Sequence, residues 1–357
     1  MSQILDTRLT DLLGCQYPII QTAMGWVSDP NLVAGTCNAG GFGFLAGATI
    51  PPEEMEIDIL RVKDLTDKNF GVNFHMYQPN AAEIIELVIK HGVKAVSYSR
   101  SPGKEMIARL KDHGVVCIPT VGLPKHAIKA IELGADAVTV QGGEGGGHTG
   151  AIPTTLLIPQ VVEAVGDKVP VVAAGGFKDG LGLVAALAWG ADGIAMGTRF
   201  LMSKEAPTPE ATKARYINCH NPGEIIVSRE MDGLPQRMIM NKALADLERS
   251  GGLKKLIVAL SNGLKFRKFT GASIFDLLKS ARAMTQSGDV TFSQAIMSAN
   301  APMIIQKAMV DGLPDEGVLP SGQVAGVIDQ LLSCEEIVSG IAREAQERLH
   351  VLAKRVR

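Results

Sequence analysis

The sequence is poor in the features that mark several classes of protein. Aromatic residues make up 4% of the 357 residues, and 35 basic residues face 37 acidic ones. Such a chain has few side chains for stacking on bases and no cationic excess for a phosphate backbone. No stretch reaches the ~18 apolar residues of a membrane span, and charged residues interrupt the N-terminal segment, where a signal peptide would be apolar. We therefore expect a soluble globular protein that binds neither nucleic acid nor membrane.

Cysteine is also scarce and is not clustered. The five cysteines lie far apart, with no CxxC pair and no Cys/His group at zinc spacing. We therefore expect no metal site and no disulfide framework, and we place the protein in a reducing cytoplasm. The cysteines are Cys15, Cys37, Cys117, Cys219 and Cys334.

Glycine, in contrast, is abundant. The chain has 39 glycines, where average usage would give roughly 25 in this length, and they follow no collagen-like repeat. The hydrophobic share of 46% is enough for a large core in one large domain or two ordinary ones. The excess indicates that backbone must approach something closely.

Eight short apolar runs alternate with seven segments of helical periodicity between residues 17 and 200. This alternation indicates repeated βα units, and its length fits an α/β fold of the (β/α)8 or TIM-barrel class. An open doubly wound sheet is the alternative, but it needs a glycine-rich turn after the first strand, and QTAMGW is a poor one. The runs are YPIIQ from Tyr17, FGFLAG from Phe42, FGVNF from Phe70, KAVSYS from Lys94, VVCIPTVG from Val115, AVTVQGG from Ala137, VPVVAAGG from Val169 and GIAMGT from Gly193.

The alternation stops after Phe200. We predict that residues 1–204 and 307–357 form the barrel and that residues 205–306 form a mainly helical insertion, without clear strands, that acts as a lid. The segment from Val318 onward contains a long amphipathic helix, which we expect to return and complete the barrel.

The seventh and eighth runs end in glycine-rich turns, AAGGF and MGTRF. In a barrel, these neighbouring strand ends commonly hold a phosphate through bare backbone N–H groups. Each turn alone is equally well explained as a tight connection, but two on adjacent strands favour phosphate binding. The candidate residues are Gly175, Gly176, Gly197 and Thr198.

The sixth run ends in QGGEGGGHTG, residues 141–150, the densest glycine segment of the chain. His148 lies in this loop, at the expected mouth of the barrel, and imidazole can exchange a proton near neutral pH. We therefore take His148 as the candidate catalytic residue. We expect the other histidines to be structural, namely His75, His91, His113, His126, His220 and His350.

Taken together, these motifs resemble those of the nitronate monooxygenase family, formerly the 2-nitropropane dioxygenases. The resemblance rests on ExGGHxG at 144–150, AAGGFxDG at 173–180 and MGTRF at 196–200, with QTAMGW and FGVNF in support. It spans essentially the whole chain. The family is similar in fold and flavin site to the FMN-dependent enoyl reductases of bacterial fatty-acid synthesis.

The resemblance implies a noncovalent FMN across the barrel mouth. By position, Ala23 and Met24 would line its ring, and Asn73 and Gln141 would reach its polar edge. His148 would exchange a proton with the substrate while electrons pass to FMN. The other implied contacts are Gly146 and Gly147 close to the cofactor, and Ala174, Gly175, Gly176, Gly197 and Thr198 at its phosphate.

The chain departs from the family at the end of the fifth run. Several members have a lysine there, whereas this sequence has Thr120, with Lys125 a turn later. We expect Thr120 to take that place beside the flavin, which puts in question a direct transfer of the family's substrate and oxygen chemistry. Gly322 and Gln323, in PSGQVAG, are further candidate contacts, although a helix-starting turn explains them equally well.

The leading functional prediction is an FMN-dependent oxidoreductase of the nitronate monooxygenase type, which oxidises alkyl nitronates and passes electrons to oxygen. The alternative is an acyl-CoA dehydrogenase or enoyl-CoA reductase on the same flavin, because VQGGEGGGHTG and GVLPSGQVAG look closest to a branch of flavin-dependent acyl-CoA oxidoreductases of steroid-ring breakdown. Lys265, Arg267 and Lys268, in the basic stretch GLKKLIVALSNGLKFRKF, would then bind substrate phosphates, unless they only form a solvated helix face.

A third hypothesis is a phosphate-binding barrel without flavin, such as a phosphosugar isomerase. It would need an acid/base pair at the strand ends, and the candidates are Glu144, His148 and Asp179. Glu144 could instead be a structural partner for loop N–H groups. For all three hypotheses the partner is a small molecule, and a homodimer is a candidate assembly.

Overall fold

The computed structural model describes residues 5–48, 50–76, 78, 80–99, 102–250 and 300–355. Eight parallel strands form a closed barrel in chain order, and the first strand pairs with the last. The eight predicted runs are therefore confirmed as the barrel strands, and the open-sheet alternative is excluded. The barrel strands are β1 (Ile19–Gln21), β2 (Phe42–Ala46), β3 (Gly71–His75), β4 (Ala95–Ser99), β5 (Val116–Val121), β6 (Val138–Gln141), β8 (Val171–Ala174) and β9 (Gly193–Met196), while β7 (Gly147–His148) lies outside the barrel.

Helices follow the strands as the sequence predicts. After α1 (Arg8–Leu13), the seven segments predicted between the runs form α2 (Pro30–Asn38), α3 (Pro52–Leu65), α4 (Ala81–Lys90), α5 (Lys104–Asp112), α6 (Pro124–Leu133), α7 (Thr154–Val165) and α8 (Gly180–Ala188). The later helices are α9 (Thr198–Leu201), α10 (Glu210–Ile217), α11 (Lys242–Arg249), α12 (Asn300–Met309) and α13 (Cys334–Ala353). Helix α13 packs between α8 and α2, so it completes the outer ring as expected.

The short helix α1 closes the amino-terminal end of the barrel. Leu9 and Leu13 are fully buried and join a core cluster with Phe42 and Phe44 from inside the barrel. Arg8, next to them, forms a bidentate ion pair with Asp192, in which Nε donates to Oδ1 at 2.8 Å and Nη2 donates to Oδ2 at 2.7 Å. Side chains thus close the barrel at the amino-terminal ends of its strands, and its open end lies at the carboxyl ends of the strands.

A small second sheet lies outside the barrel. Strands β10 (Ile225–Ser228) and β11 (Gln236–Ile239) form an antiparallel pair, and the other edge of β11 pairs with both β12 (Leu319–Pro320) and β7. The expectation of no clear strands in residues 205–306 is therefore wrong for β10 and β11. These strands have four residues each, and β11 also pairs with segments far away in the sequence, so their pattern was too short to separate from helix.

A separate apolar cluster supports this sheet. Met231, Met238 and Leu244 pack with Ile304 and Val318, and all five are buried. The predicted division between barrel and insertion at residues 205–306 stays a prediction. No helix in the described ranges is long and apolar enough to cross a membrane.

Candidate functional site

Side-chain alternation brings the predicted polar residues to the barrel mouth. Val116 and Ile118 of β5 belong to the interior cluster, and successive residues of a strand point to opposite faces, so Thr120 continues the inward-facing row beyond them. Asn73 on β3 and Gln141 on β6 follow inward-facing positions in the same way. Thr120 is exposed, and Asn73 and Gln141 are half-buried, as expected at an open end.

The amide groups of Asn73 and Gln141 are each fixed at one end. Asn73 Nδ2 donates to the carbonyl oxygen and the Oγ of Ser97, both at 3.0 Å. Gln141 Nε2 donates to the carbonyl oxygen of His148 at 2.7 Å. No hydrogen bond to either amide oxygen is found within the described residues. Both oxygens are therefore held in place and free to accept from an N–H group of a bound ring.

The turns after β8 and β9 have the backbone that the phosphate prediction requires. Gly175 and Gly176 have φ angles of 103° and 85°, a region that favours glycine, and their N–H groups have no acceptor in the described part of the chain. Gly197 begins α9, whose first turn lacks a side-chain cap. Two neighbouring strand ends thus present unpaired N–H groups, which suits an anion.

Thr198 links this pair of turns to the segment after β12. Its Oγ1 accepts the N–H of Gly322 at 3.0 Å, so the hydroxyl proton remains available for donation. The N–H of Gln323 donates to the carbonyl oxygen of Glu144 at 3.0 Å. The predicted contacts at 322–323 therefore lie beside the candidate phosphate site, and the turn joins the β6 loop to α9.

Two glycines of the loop after β6, Gly146 and Gly147, lie in different surroundings. A Cβ on Gly146 would lie 2.5 Å from the nitrogen of Gly322, so this residue packs directly on the 321–322 turn. Gly147 has a φ of 64° and open space around its Cβ position. Close contact with protein explains Gly146, whereas Gly147 leaves room at the barrel mouth. Their contact with a cofactor stays a prediction.

The loop after β1 is fixed by a buried hydroxyl. Ser28 Oγ accepts from the backbone N–H of Met24 at 2.8 Å and from Nε2 of Gln21 at 2.9 Å. A Cβ on Gly197 would lie 3.5 Å from the sulfur of Met24. Met24, with Ala23 before it, is therefore held beside the turn after β9, at the same end as the candidate phosphate site.

His148 lies on β7, where residues 147 and 148 pair with residues 237 and 236 of β11. Its side chain is 59% exposed, and its Nε2 lies 2.8 Å from Oδ2 of Asp232, a carboxylate that is only 2% exposed. Sequence reasoning missed Asp232. Its sequence, MDGLPQR, reads as an ordinary turn, and its partner is 84 residues away, so no local signal could have indicated the contact.

Arg237 was missed as well. Its Nε and Nη2 both donate to the carbonyl oxygen of Gly143, at 3.1 and 2.7 Å. Burial is the main cause that lowers the pKa of this guanidinium, and the charge of Glu144 opposes it. Arginine remains charged at any ordinary pH, so Arg237 is a fixed cation that holds the β6 loop against β11.

Two of the three acid/base candidates for a flavin-free isomerase cap helices. Glu144 Oε2 accepts both the N–H and the hydroxyl of Thr154, at 2.9 and 2.6 Å, at the start of α7. Asp179 accepts the N–H of Gly182 at 3.0 Å and caps α8. The alternative structural role of Glu144 is therefore confirmed, and an isomerase would be left with His148 alone.

The remaining predicted site residues lie elsewhere. Lys265, Arg267 and Lys268 fall in 251–299, outside the described residues, so their proposed phosphate contact stays a prediction. No group of three or more His, Cys, Asp or Glu side chains within the described ranges could hold a metal ion. All five cysteines are free thiols.

This barrel, with its mouth histidine and glycine turns, matches a known family. The family model described as nitronate monooxygenase matches residues 6–344. The chain belongs to the nitronate monooxygenase family. It is therefore an oxidoreductase of a flavoprotein family, and the family predicted from its motifs is confirmed.

Curated relatives fall into two groups. The (3aS,4S,5R,7aS)-5-hydroxy-7a-methyl-1-oxo-octahydro-1H-indene-4-carboxyl-CoA dehydrogenases of Rhodococcus jostii and Mycobacterium tuberculosis are 48% and 45% identical. The alignments cover 98% and 96% of this chain and the same shares of those proteins. A probable nitronate monooxygenase of Staphylococcus saprophyticus is 34% identical over 67% of this chain and 79% of its own length.

Solved structures of similar fold include two differently named enzymes. FabK from Thermotoga maritima has a TM-score of 0.78 at 28% identity, covering 98% of this chain and 99% of its own. Nitroalkane oxidase from Streptomyces ansochromogenes has a TM-score of 0.73 at 26% identity, covering 97% and 100%.

Proposed function

We propose that this protein is an FMN-dependent acyl-CoA dehydrogenase that oxidises a cyclic carboxyl-CoA thioester. The observation that carries the proposal is the likeness to two carboxyl-CoA dehydrogenases over at least 96% of this chain, at 48% and 45% identity. Those alignments are long enough to include most of the segment after β9, in which β10 and β11 lie. The Staphylococcus relative covers 67% of the chain.

The barrel mouth fits FMN in three respects. The unpaired N–H groups of Gly175 and Gly176 and the hydroxyl of Thr198 suit its phosphate. The unbonded amide oxygens of Asn73 and Gln141 suit the N–H groups on the edge of its ring. The loop holding Met24 supplies an apolar side chain at the same end of the barrel. These features support the cofactor contacts predicted from the sequence, together with Ala23, Ala174, Gly197 and, at the ring, Thr120.

The chemistry requires a base next to an acidified carbon. A thioester carbonyl, like a nitro group, acidifies the C–H bond beside it, and bound FMN supplies the acceptor for two electrons. His148 would take the proton from that carbon, because imidazole can exchange a proton near neutral pH and His148 lies at the barrel mouth. The hydrogen on the neighbouring carbon would leave with its electron pair to the flavin, so that a carbon–carbon double bond forms. Gln141 holds the main chain of His148 through its carbonyl oxygen, and Arg237 holds the start of the same loop.

Oxidation of nitronates is the second candidate. The family model itself, and the Staphylococcus relative at 34% identity, favour it. A neutral nitroalkane has the same kind of acidified C–H bond as a thioester, and His148 would remove its proton in the same way. A nitronate has already lost that proton, so its oxidation needs no base, and the two candidates then differ in the role of His148 as well as in the substrate. Oxygen would then be the electron acceptor, as the family resemblance implies.

The sequence predictions also concern the location and the assembly of the protein. The five free thiols support a reducing, cytoplasmic location. A homodimer remains a candidate assembly.

The flavin and the base are tested with the purified protein and two variants. We expect the protein to be yellow or to take up one FMN on reconstitution, and His148→Ala to keep FMN while losing turnover by about 10²-fold or more, the usual contribution of a general base. His350→Ala, an exposed histidine on α13, is the matched control and should change neither. A protein that takes up no flavin would contradict the proposal, and a His148→Ala enzyme with normal turnover would show that His148 is structural.

A further inference from the structure

The contact between His148 and Asp232 joins two distant parts of the chain. His148 belongs to the loop after β6, and Asp232 belongs to the turn between β10 and β11. The antiparallel register pairs His148 with Gln236, and this pairing places the imidazole over the turn that carries Asp232. The distance from Nε2 to Oδ2 is 2.8 Å, a hydrogen bond between an imidazole and a carboxylate.

Asp232 is held by its own turn and by the neighbouring strand. Its Oδ1 accepts the N–H of Leu234 at 3.0 Å, and its Oδ2 accepts from Nε2 of Gln236 at 2.5 Å. At 2% exposure the carboxylate has almost no contact with solvent, and a buried charge of this kind needs such partners. The carboxylate is therefore a rigid acceptor whose direction is set before any ligand binds.

The geometry fixes where the imidazole proton lies. Two groups face Nε2, namely Oδ2 of Asp232 at 2.8 Å and the side-chain amide nitrogen of Gln236 at 3.2 Å. The carboxylate is closer and can only accept, and the amide already donates to that carboxylate, so Nε2 carries the hydrogen in the neutral ring. Nδ1 is then the nitrogen with the free lone pair, and it has no partner among the described residues. The side chain is more than half exposed, which leaves room for a ligand to approach the ring.

The loop does not depend on Asp232 to stay in place. Arg237 binds the carbonyl oxygen of Gly143 with two N–H groups, and the N–H of Thr149 donates to the carbonyl oxygen of Pro235 at 3.0 Å. Gln141 additionally binds the main chain of His148. Since four hydrogen bonds already join this loop to its neighbours, the bond from Asp232 to the ring mainly determines the state of the imidazole.

We propose that Asp232 is a positioning residue that keeps His148 in the Nε2–H form, so that Nδ1 is the atom that takes the substrate proton. The inference rests on the proposed role of His148 as base. It also assigns a function to the second sheet, because the barrel loop supplies the base and the β10–β11 turn supplies the group that orients it.

The test is the protonation pattern of His148 in the FMN-loaded, full-length protein labelled with ¹⁵N-histidine. The signal is assigned by its loss in His148→Gln, and the two ring nitrogens are distinguished by their ¹⁵N shifts and couplings. We expect Nε2–H in the wild type. In Asp232→Asn, the amide oxygen keeps the bond to the N–H of Leu234, and the side-chain amide of Gln236, which donates to Oδ2 in the wild type, turns its oxygen toward the new NH2 group. That NH2 group then faces the ring and donates to Nε2, and we expect Nδ1–H.

The rate of turnover is the second measurement. We expect Asp232→Asn to lower kcat by about 10²-fold or more while KM stays within about threefold, as when a histidine is held in the wrong tautomer. Asp315→Asn, an exposed aspartate between α12 and β12, is the matched control and should change neither the tautomer nor kcat.

The outcomes separate this proposal from the proposed function. A wild-type ring in the Nδ1–H form, which is observed without any Asp232 variant, would overturn the positioning role even if Asp232→Asn failed to fold. An unchanged tautomer in Asp232→Asn would overturn it too. If the tautomer changes and kcat does not, Asp232 does not serve turnover, and the His148→Ala variant then shows whether His148 itself is dispensable.

Discussion

At the scale of single residues, the candidate site depends on backbone that only glycine adopts easily. Gly175 and Gly176 follow β8 with φ angles of 103° and 85°, and their N–H groups face no protein acceptor in the described ranges. Several other glycines with positive φ, such as Gly114 at 74°, lie at helix ends, and the N–H of Gly114 donates to the carbonyl oxygen of Lys111. The conformation is the same in both sets, so the effect of a side chain on FMN binding can be separated from its effect on folding.

Gly176→Ala tests this separation, with Gly114→Ala as the control. Neither Cβ would meet an atom closer than 3.4 Å, so each variant should lose about 1 kcal/mol of unfolding free energy from the left-handed backbone. We expect Gly176→Ala alone to raise the dissociation constant for FMN, by about fivefold if the turn relaxes by that energy. Equal FMN affinity in the two variants would remove this turn from the site. Fluorescence titration with FMN and chemical denaturation provide the measurements.

Asp58 on α3 gives a pH-dependent prediction. Burial, together with the charges of Asp29 and Glu54, raises the pKa of this carboxyl to about 6. A raised pKa contributes stability below the unfolded value of about 3.8, and this contribution is lost as the pH rises through about 6. We therefore expect Asp58→Asn to be more stable than the wild type at pH 8, by about 1 kcal/mol after allowing for its half-exposed position, and equally stable at pH 4.

Thermal unfolding at both pH values measures the effect. Asp64→Asn, an exposed aspartate on the same helix, is the control and should show no comparable change in the difference between pH 4 and pH 8. An Asp58→Asn protein whose advantage over the wild type is the same at both pH values would contradict the assignment.

At the scale of elements, strands could be predicted from the sequence where they are buried on both faces and pair with strands that are close in the sequence. The barrel strands were predicted because runs such as VPVVAAGG are apolar on both faces and end in glycine. The strands β10 and β11 were missed because they have four residues each, and because the further partners of β11, β7 and β12, are only two residues long. The contact between Asp232 and His148 depends on that pairing, so it could not be predicted from the sequence either.

Helix packing around the barrel depends on close approach at one glycine. A Cβ on Gly180, at the start of α8, would lie 2.5 Å from the backbone nitrogen of Ala345 in α13. We expect Gly180→Ala to lower the free energy of unfolding by about 1–3 kcal/mol, because backbone cannot move aside easily.

Gly340→Ala is the matched control on α13. Nothing lies within 4 Å of its Cβ position, so the gain in helix propensity should stabilise this variant by up to about 1 kcal/mol. Urea denaturation of both variants gives the comparison. A Gly180→Ala protein as stable as Gly340→Ala would mean that α8 and α13 are not packed as described.

At the scale of the whole molecule, the barrel, the second sheet and the returning chain meet at one end. The segment after β12 contacts both the β6 loop, through Gln323, and α9, through Gly322. Barrel and sheet therefore build the candidate site together. The family and the location of this candidate site could be predicted from glycine-rich motifs, whereas the sequence left the choice between nitronate and thioester open.

Anaerobic reduction of the FMN-loaded protein tests the central claim most directly. The protein is mixed without oxygen with a saturated cyclic carboxyl-CoA thioester, an alkyl nitronate, NADH or NADPH, and the loss of visible flavin absorbance is followed by stopped flow. We predict rapid bleaching by the CoA thioester and slower bleaching by the nitronate. Rapid bleaching by the nitronate, with no response to any CoA thioester, would contradict the proposed function.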